Sequence, residues 1–366
     1  MDFIETVNKI NEINGSGINV KPVPHFKVEI LGRGKGTHNS VVGYAAYCAR
    51  TRLRNERDGH IYNWSRQNDI VFSKIMLPEN APRRFFDRSV LWNEVEKIEK
   101  CKNAQLARTL VIALPSEFST DAQERVVCQY VQDYFVNYGM CADINIHDKS
   151  DGNPHAHIIL TMRSIDKNGK WMAKQEKIYQ LDKNGKKIYD PVKRQYKCTT
   201  QKTNDWDNHK NVEQWREQWA EVCNVEFERL GLSKRVTHKS YQRQGSDLLP
   251  TKHLGSSSTA MEQRGIQTKT GKANKNIYFQ NMKLIFDMIN KTFQLLMEKF
   301  KKMIKQFRQQ LSQESPDKAL SICGEVALLL CTPEYEMPKL PQITRGYRQY
   351  TRKYTRTNTR DFVPSL

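Results

Sequence analysis

The stretch that leaves this chain least freedom is ADINIHDKSDGNPHAHIIL, residues 142–160. Its opening alternates, with Ala142, Ile144 and Ile146 on one face and Asp143, Asn145 and His147 on the other, as a half-buried strand requires. Asp151-Gly152 is a turn dipeptide, and Pro154 keeps Asn153 out of the helical region. HAHIIL then resumes as a strand, so His155 and His157 share a face opposite Ala156 and Ile158. If the two strands pair as a hairpin, the register that keeps isoleucine opposite isoleucine sets His147 beside His155. Three of the chain's nine histidines then converge on one face. Three imidazoles with open positions are a common catalytic metal arrangement. The competing reading is a set of satisfied core or surface histidines.

The 366 residues carry a net charge of +19, an excess that favours a polyanionic partner. No apolar run reaches the length of a membrane span, and LSICGEVALLLC is too short and carries Glu325. Nucleic acid is therefore the better expectation, with no membrane insertion. The N-terminus has no signal-peptide core, and the eight cysteines never form CxxC. Reduced thiols in a cytoplasmic protein are expected.

Along the chain, residues 1–24 read as a polar extension with a weak helix. HFKVEIL reads as the first strand, and Ser40 as the cap of a helix through VVGYAAYCARTRL with Val41, Tyr44, Ala45 and Cys48 on its apolar stripe. A helix near 87–103, a strand at ARTLVIALP and a helix from Ser119 or Thr120 to Gly139 precede the histidine hairpin. Residues 164–209 are Lys- and Gly-rich and suggest a small hairpin or loop. A helix at 211–231 buries Val212, Trp215, Trp219, Val222 and Leu230, and a Lys-rich helix with an apolar stripe covers 275–312. The closing RGYRQYTRKYTRTNTR interleaves cations with Tyr347, Tyr350 and Tyr354, a pattern suited to single-stranded nucleic acid and equally to a solvated tail. GIQTKTGK is no phosphate-binding loop, because its spacing is one residue too long and Ala273 replaces the required hydroxyl.

NPHAHI resembles the His-hydrophobic-His motif of the HUH endonucleases. Together with HFKVEILGRGKGTHNSVVGYAAYCARTRLRNERDG, WNEVEKIEKCKNAQLARTLVIALPSE, WREQWAEVCNVEFERLG and HLGSSSTAMEQRGI, it is similar to the MobA/MobL group of plasmid relaxases. The resemblance covers about residues 25–268. It implies a nickase that cuts one strand at a transfer origin and stays on the new 5′ end as a phosphotyrosine, for conjugative mobilisation. The family's nucleophile is an early tyrosine in an Ala-rich helix, which falls on Tyr47, with Tyr44 as the neighbouring competitor. Glu117 matches a recurrent glutamate that orients a histidine or accepts the tyrosine proton. Asp143 is a second acidic candidate beside the histidines.

On this reading His147, His155 and His157 hold a divalent ion, manganese or magnesium. Arg50, Arg52, Arg54 and Arg57 around the nucleophile helix contact DNA phosphates, as do Arg348, Arg352 and Lys353 in the tail. Expected partners are single-stranded origin DNA, accessory mobilisation proteins, a coupling protein and a host helicase. The expected fold is α+β, an antiparallel sheet of about five strands with flanking helices and a helical C-terminal extension. Its expected division is an N-terminal extension at 1–24, the relaxase domain at 25–268, the helical extension at 269–312 and a basic tail at 313–366. The rivals are a rolling-circle initiator or transposase of the same chemistry, a non-catalytic basic DNA-binding accessory protein, and a metal phosphohydrolase that leaves no adduct.

Overall fold

A computed structural model describes residues 2–34, 40–150, 152–318 and 320–323. In chain order the elements are α1 (Phe3–Ile13), β1 (Phe26–Gly32), α2 (Val41–Cys48), β2 (Arg52–Arg54), β3 (Ile61–Asn63), β4 (Ile70–Met76), α3 (Arg88–Ile98) and β5 (Gln105–Ala113). There follow α4 (Thr120–Val131), β6 (Ala142–His147), β7 (His155–Thr161), β8 (Gln175–Tyr179), β9 (Tyr189–Asp190), β10 (Gln195–Tyr196) and β11 (Cys198–Lys202). The last three are α5 (His209–Arg229), α6 (Gly255–Gln263) and α7 (Lys269–Leu311). The chain divides into two compact units, Pro22–His238 and a second made of Met1–Lys21 with the residues from Lys239 on.

The first unit is α+β. Its sheet has the order β1-β5-β7-β6-β4, with every neighbouring pair antiparallel. The alternation of β6 and β7 sorts the two faces. Ile144, Ile146, Ala156 and Ile158 pack with α4 and α5 in one core, which also buries Trp215, Trp219 and Phe227. The opposite face, with Ile159, packs beneath α2 and α3 in a second core around Leu91 and Trp92. The histidines therefore lie on the α2/α3 side of the central strand β7 and its neighbour β6. On α5 the expected burial of Leu230 is not found: it is exposed, and Cys223 and Phe227 take the buried side.

Side-chain oxygens start the helices, at Ser40 and Ser119 as the sequence suggests and at Asp87 and Asn208 besides. Ser40 accepts from the backbone of Val42 and Gly43, Asp87 caps α3, Ser119 caps α4 and Asn208 caps α5. Helix α2 is shorter than expected, ending at Cys48, because Arg50 turns into the left-handed region at φ 50° and the chain leaves as β2. Gly43 lets α2 approach β3, since a Cβ there would stand 2.7 Å from the Tyr62 ring. The Lys-rich segment after Thr161 is ordered into two ribbons, β8 with β11 and β9 with β10.

In the second unit Val7, Ile10, Val20, Leu248 and Ile285 form a small core between α1 and α7. The helix sensed in the N-terminal extension thus belongs with the C-terminal helix, and residues 239–268 cluster with this unit too. Most of the basic tail, including Arg348, Arg352 and Lys353, lies outside the described residues.

Candidate metal centre and nucleophile helix

Strand pairing builds the centre. His147 stands directly opposite His155, and Asn145 opposite His157. The three rings have centroid separations of 5.5, 4.6 and 5.2 Å, and their ligand atoms all lie within 4.8 Å of one another. His147 and His157 are buried and His155 is half-buried, so the cluster opens on the His155 side.

The hydrogen bonds around the rings prepare two of them as ligands. His147 Nε2 donates to the Cys48 carbonyl at 2.6 Å, and His155 Nδ1 donates to the Asn153 carbonyl at 2.9 Å. A carbonyl only accepts, so the lone pairs sit on His155 Nε2 and on His147 Nδ1, where a metal ion would replace the 3.3 Å hydrogen bond from Arg50. The Tyr44 hydroxyl stands 3.5 Å from His157 Nδ1. Burial pushes His157 down to about 2, with His147 and His155 adding to it. Burial also brings His147 to about 4 against the opposing pull of the Cys48 carbonyl. Both are therefore neutral near pH 7, as metal ligation requires. This donor set fits a divalent ion.

Helix α2 crosses the centre with two tyrosines. The Tyr47 ring lies 5.9 Å from His157, 6.4 Å from His147 and 5.2 Å edge-on to Trp64. The Tyr44 ring is 6.4 Å from His157 and 6.2 Å from Tyr47. Burial, reinforced by Cys48, holds the Tyr44 phenol well above its ordinary value, which opposes its use as a phenolate.

Arg50 departs from its expected role. It is buried, and its guanidinium grips Asp69 through two bonds of 2.6 and 2.8 Å. It also donates to the Tyr47 carbonyl at 2.8 Å, covers the Tyr47 ring at 4.5 Å and reaches His147 Nδ1 at 3.3 Å. The left-handed turn folds this side chain inward, so it braces α2 and is not available at the surface. Arg52, Arg54 and Arg57 are exposed on β2 and the turn after it.

Glu117 takes Lys234 as its ion-pair partner, and Asp143 spends both oxygens on Arg88 and accepts from Trp92 Nε1 at 2.8 Å. The carboxylate that the fold brings to the histidines is Asp69, held down to about 2 chiefly by its hydrogen bond from Arg50. Sequence reading missed it because β4, which begins one residue later and pairs Ile70 with His147, went unrecognised. Its signal was the β-rich run DIVFSKIM.

Asp69→Ala is expected to cost about 3–5 kcal/mol, because it strands the buried Arg50 charge. Asp69 has a depressed folded value, so its stabilisation is full above 3.8 and is lost as pH falls through about 2. His147 acts at higher pH. The unfolded chain protonates first, so stability is lost as pH falls from 6.5 toward about 4. Urea titrations of the metal-free protein from neutral pH down to about pH 2 check both, with the midpoint falling first through the His147 range and then through the Asp69 range, and lower in the variant at neutral pH.

Comparison with known proteins fits this geometry. Residues 39–264 match the model of the MobA/MobL family. The chain is 34% identical over 272 residues to the probable mobilization protein MobA of Bifidobacterium longum, an alignment covering 70% of this chain and 47% of that one. It is 33% identical to the conjugal transfer protein TraA of Agrobacterium fabrum, over 67% of this chain and 22% of that one. It thus spans less than half the length of either relative. A solved structure described as "Molecular Basis of Vancomycin Resistance Transfer in Staphylococcus aureus" superposes with a TM-score of 0.50 at 29% identity, covering 60% of this chain and all of that one.

Proposed function

The chain belongs to the MobA/MobL family, and we propose that it nicks one DNA strand at a transfer origin by tyrosine transesterification, as the first step of plasmid mobilisation. The observation that carries this reading is the Tyr47 ring beside the paired histidines, 5.9 Å from His157 and 6.4 Å from His147. Tyr47 Oη attacks the scissile phosphorus, forming the Tyr–O–P bond as the bond to the 3′ oxygen breaks. The hydroxyl proton leaves Tyr47, and the departing 3′ oxygen takes up a proton. One phosphodiester replaces another, so the 3′-hydroxyl can reverse the step without a nucleotide cofactor.

His147, His155 and His157 hold the divalent ion, manganese or magnesium. When bound, it supplies positive charge to the nonbridging phosphate oxygens. Arg50 and Trp64 flank the Tyr47 ring and restrict its rotation, which favours in-line approach. Arg52, Arg54 and Arg57 are exposed for phosphate contacts, which position the strand without reading its bases. The direct test is incubation of the full chain with single-stranded oligonucleotides from the DNA flanking its gene. A denaturation-resistant adduct that requires metal supports the reading, and multiple turnover without adduct refutes it.

The tail is expected to contribute affinity only. Six cations lie between Arg345 and Arg360. If all six meet phosphates of a single strand, the log–log salt slope changes by about 4. Truncation after residue 312 should weaken binding and flatten the slope by up to that amount while the nicked position stays the same. Fluorescence anisotropy across a salt series, with mapping of the nick, checks both.

A further inference from the structure

Helix α7 carries a pattern that the metal centre does not use. Phe279, Phe286, Phe293, Phe300 and Phe307 recur at every seventh residue, and Met282, Ile289, Leu296 and Met303 each follow a phenylalanine by three. At 3.6 residues per turn these nine side chains fall within an arc of about 120°. The α1 helix occupies a different stripe, the one bearing Leu284, Ile285 and Met288. The phenylalanine arc is left open: Phe286, Phe293 and Phe300 are 56, 63 and 50% exposed.

Charge decides what this arc fits. Between Lys269 and Leu311 there are ten Lys and Arg residues against Asp287 and Glu298 alone. A second copy of the helix would bring two such cationic surfaces together. Asp287 and Glu298 lie one turn from Lys283 and Lys302 on their own helix, so a second copy offers only two carboxylates to ten cations. Nucleic acid would satisfy the lysines and can stack a base on a ring, but it would leave the aliphatic half of the arc, Met282, Ile289, Leu296 and Met303, in water. An anionic bilayer answers both features, taking the rings into the acyl boundary and the ammonium groups into the headgroups. The helix is no membrane span, since no helix among the described residues is long and apolar enough to cross. We propose that α7 is an interfacial helix that lies along an anionic lipid surface. At about 1.5 Å per residue it offers roughly 65 Å of contact.

The test is co-sedimentation of the full chain with phosphatidylcholine vesicles, with and without phosphatidylglycerol, at several salt concentrations. The parent should bind the anionic vesicles, less at high salt, and bind the neutral ones poorly. Phe293→Asp with Phe300→Asp should weaken anionic binding at least roughly tenfold, because two charges would enter the apolar boundary. Lys301→Gln, Lys302→Gln and Lys305→Gln should each weaken it by about fivefold. Metal titration of the same variants should match the parent, confirming an intact histidine centre. The proposal is overturned if the parent ignores anionic vesicles. It is equally overturned if the double aspartate variant binds them as well as the parent, which would assign the binding to another basic segment. A dimer of the parent that the aspartates dissociate, with no vesicle binding, would assign the arc to a second copy instead.

Discussion

Tyr47→Phe should abolish the covalent protein–DNA adduct, lowering its rate of formation by roughly 10³-fold or more, on the scale of other lost nucleophiles. The substitution removes only the attacking oxygen and keeps the ring that packs on Trp64 and under Arg50. Tyr44→Phe is the matched control, since Tyr44 lies one turn away and its ring also faces His157. It should retain the adduct with less than about a tenfold loss, the lower end for an outer contact to a ligand. Its hydroxyl approaches His157 at a long 3.5 Å and is held protonated by burial. Uncut DNA should bind both variants like the parent. An adduct that survives in Tyr47→Phe and vanishes in Tyr44→Phe would transfer the nucleophile to Tyr44.

The second large effect is expected at the metal centre. His157→Ala should weaken manganese binding by about 100-fold or more, exceeding the loss typical of an outer-shell partner. Adduct formation should fall with it. His147→Ala and His155→Ala should behave alike, because the three ligand atoms lie within 4.8 Å of one another and act together. Calorimetric titration gives the affinity, and far-UV circular dichroism shows that the sheet is retained. Unchanged metal binding in all three variants would remove the site assignment.

The centre was legible because a strand's side-chain period is two. Alternation over residues 142–147 and 155–158, with a turn between, leaves one register that buries the isoleucines, and it sets His147 against His155 as observed. The capping of α2 by Ser40 was equally local, since a hydroxyl reaches backbone two and three residues on. The edge strand β4 was less legible. Its exposed and buried positions follow no strict alternation, and its pairing shifts register between Ile70 and Phe72.

The sequence by itself determined what depends on near neighbours: the hairpin and its register, the helix starts, the histidine face and the excess of positive charge. Tertiary structure alone decided which charges meet. Arg50 belonged on local pattern to an exposed basic helix. A left-handed turn and a partner 19 residues away bury it against Asp69, over the Tyr47 ring and beside His147. Glu117 and Asp143 were equal candidates for the histidines until Lys234, Arg88 and Trp92 claimed them. Ion pairing among buried groups rewards proximity in space, because a desolvated charge must be matched by whatever packing brings near. That proximity is set by strand order and helix docking, which no short window of sequence contains.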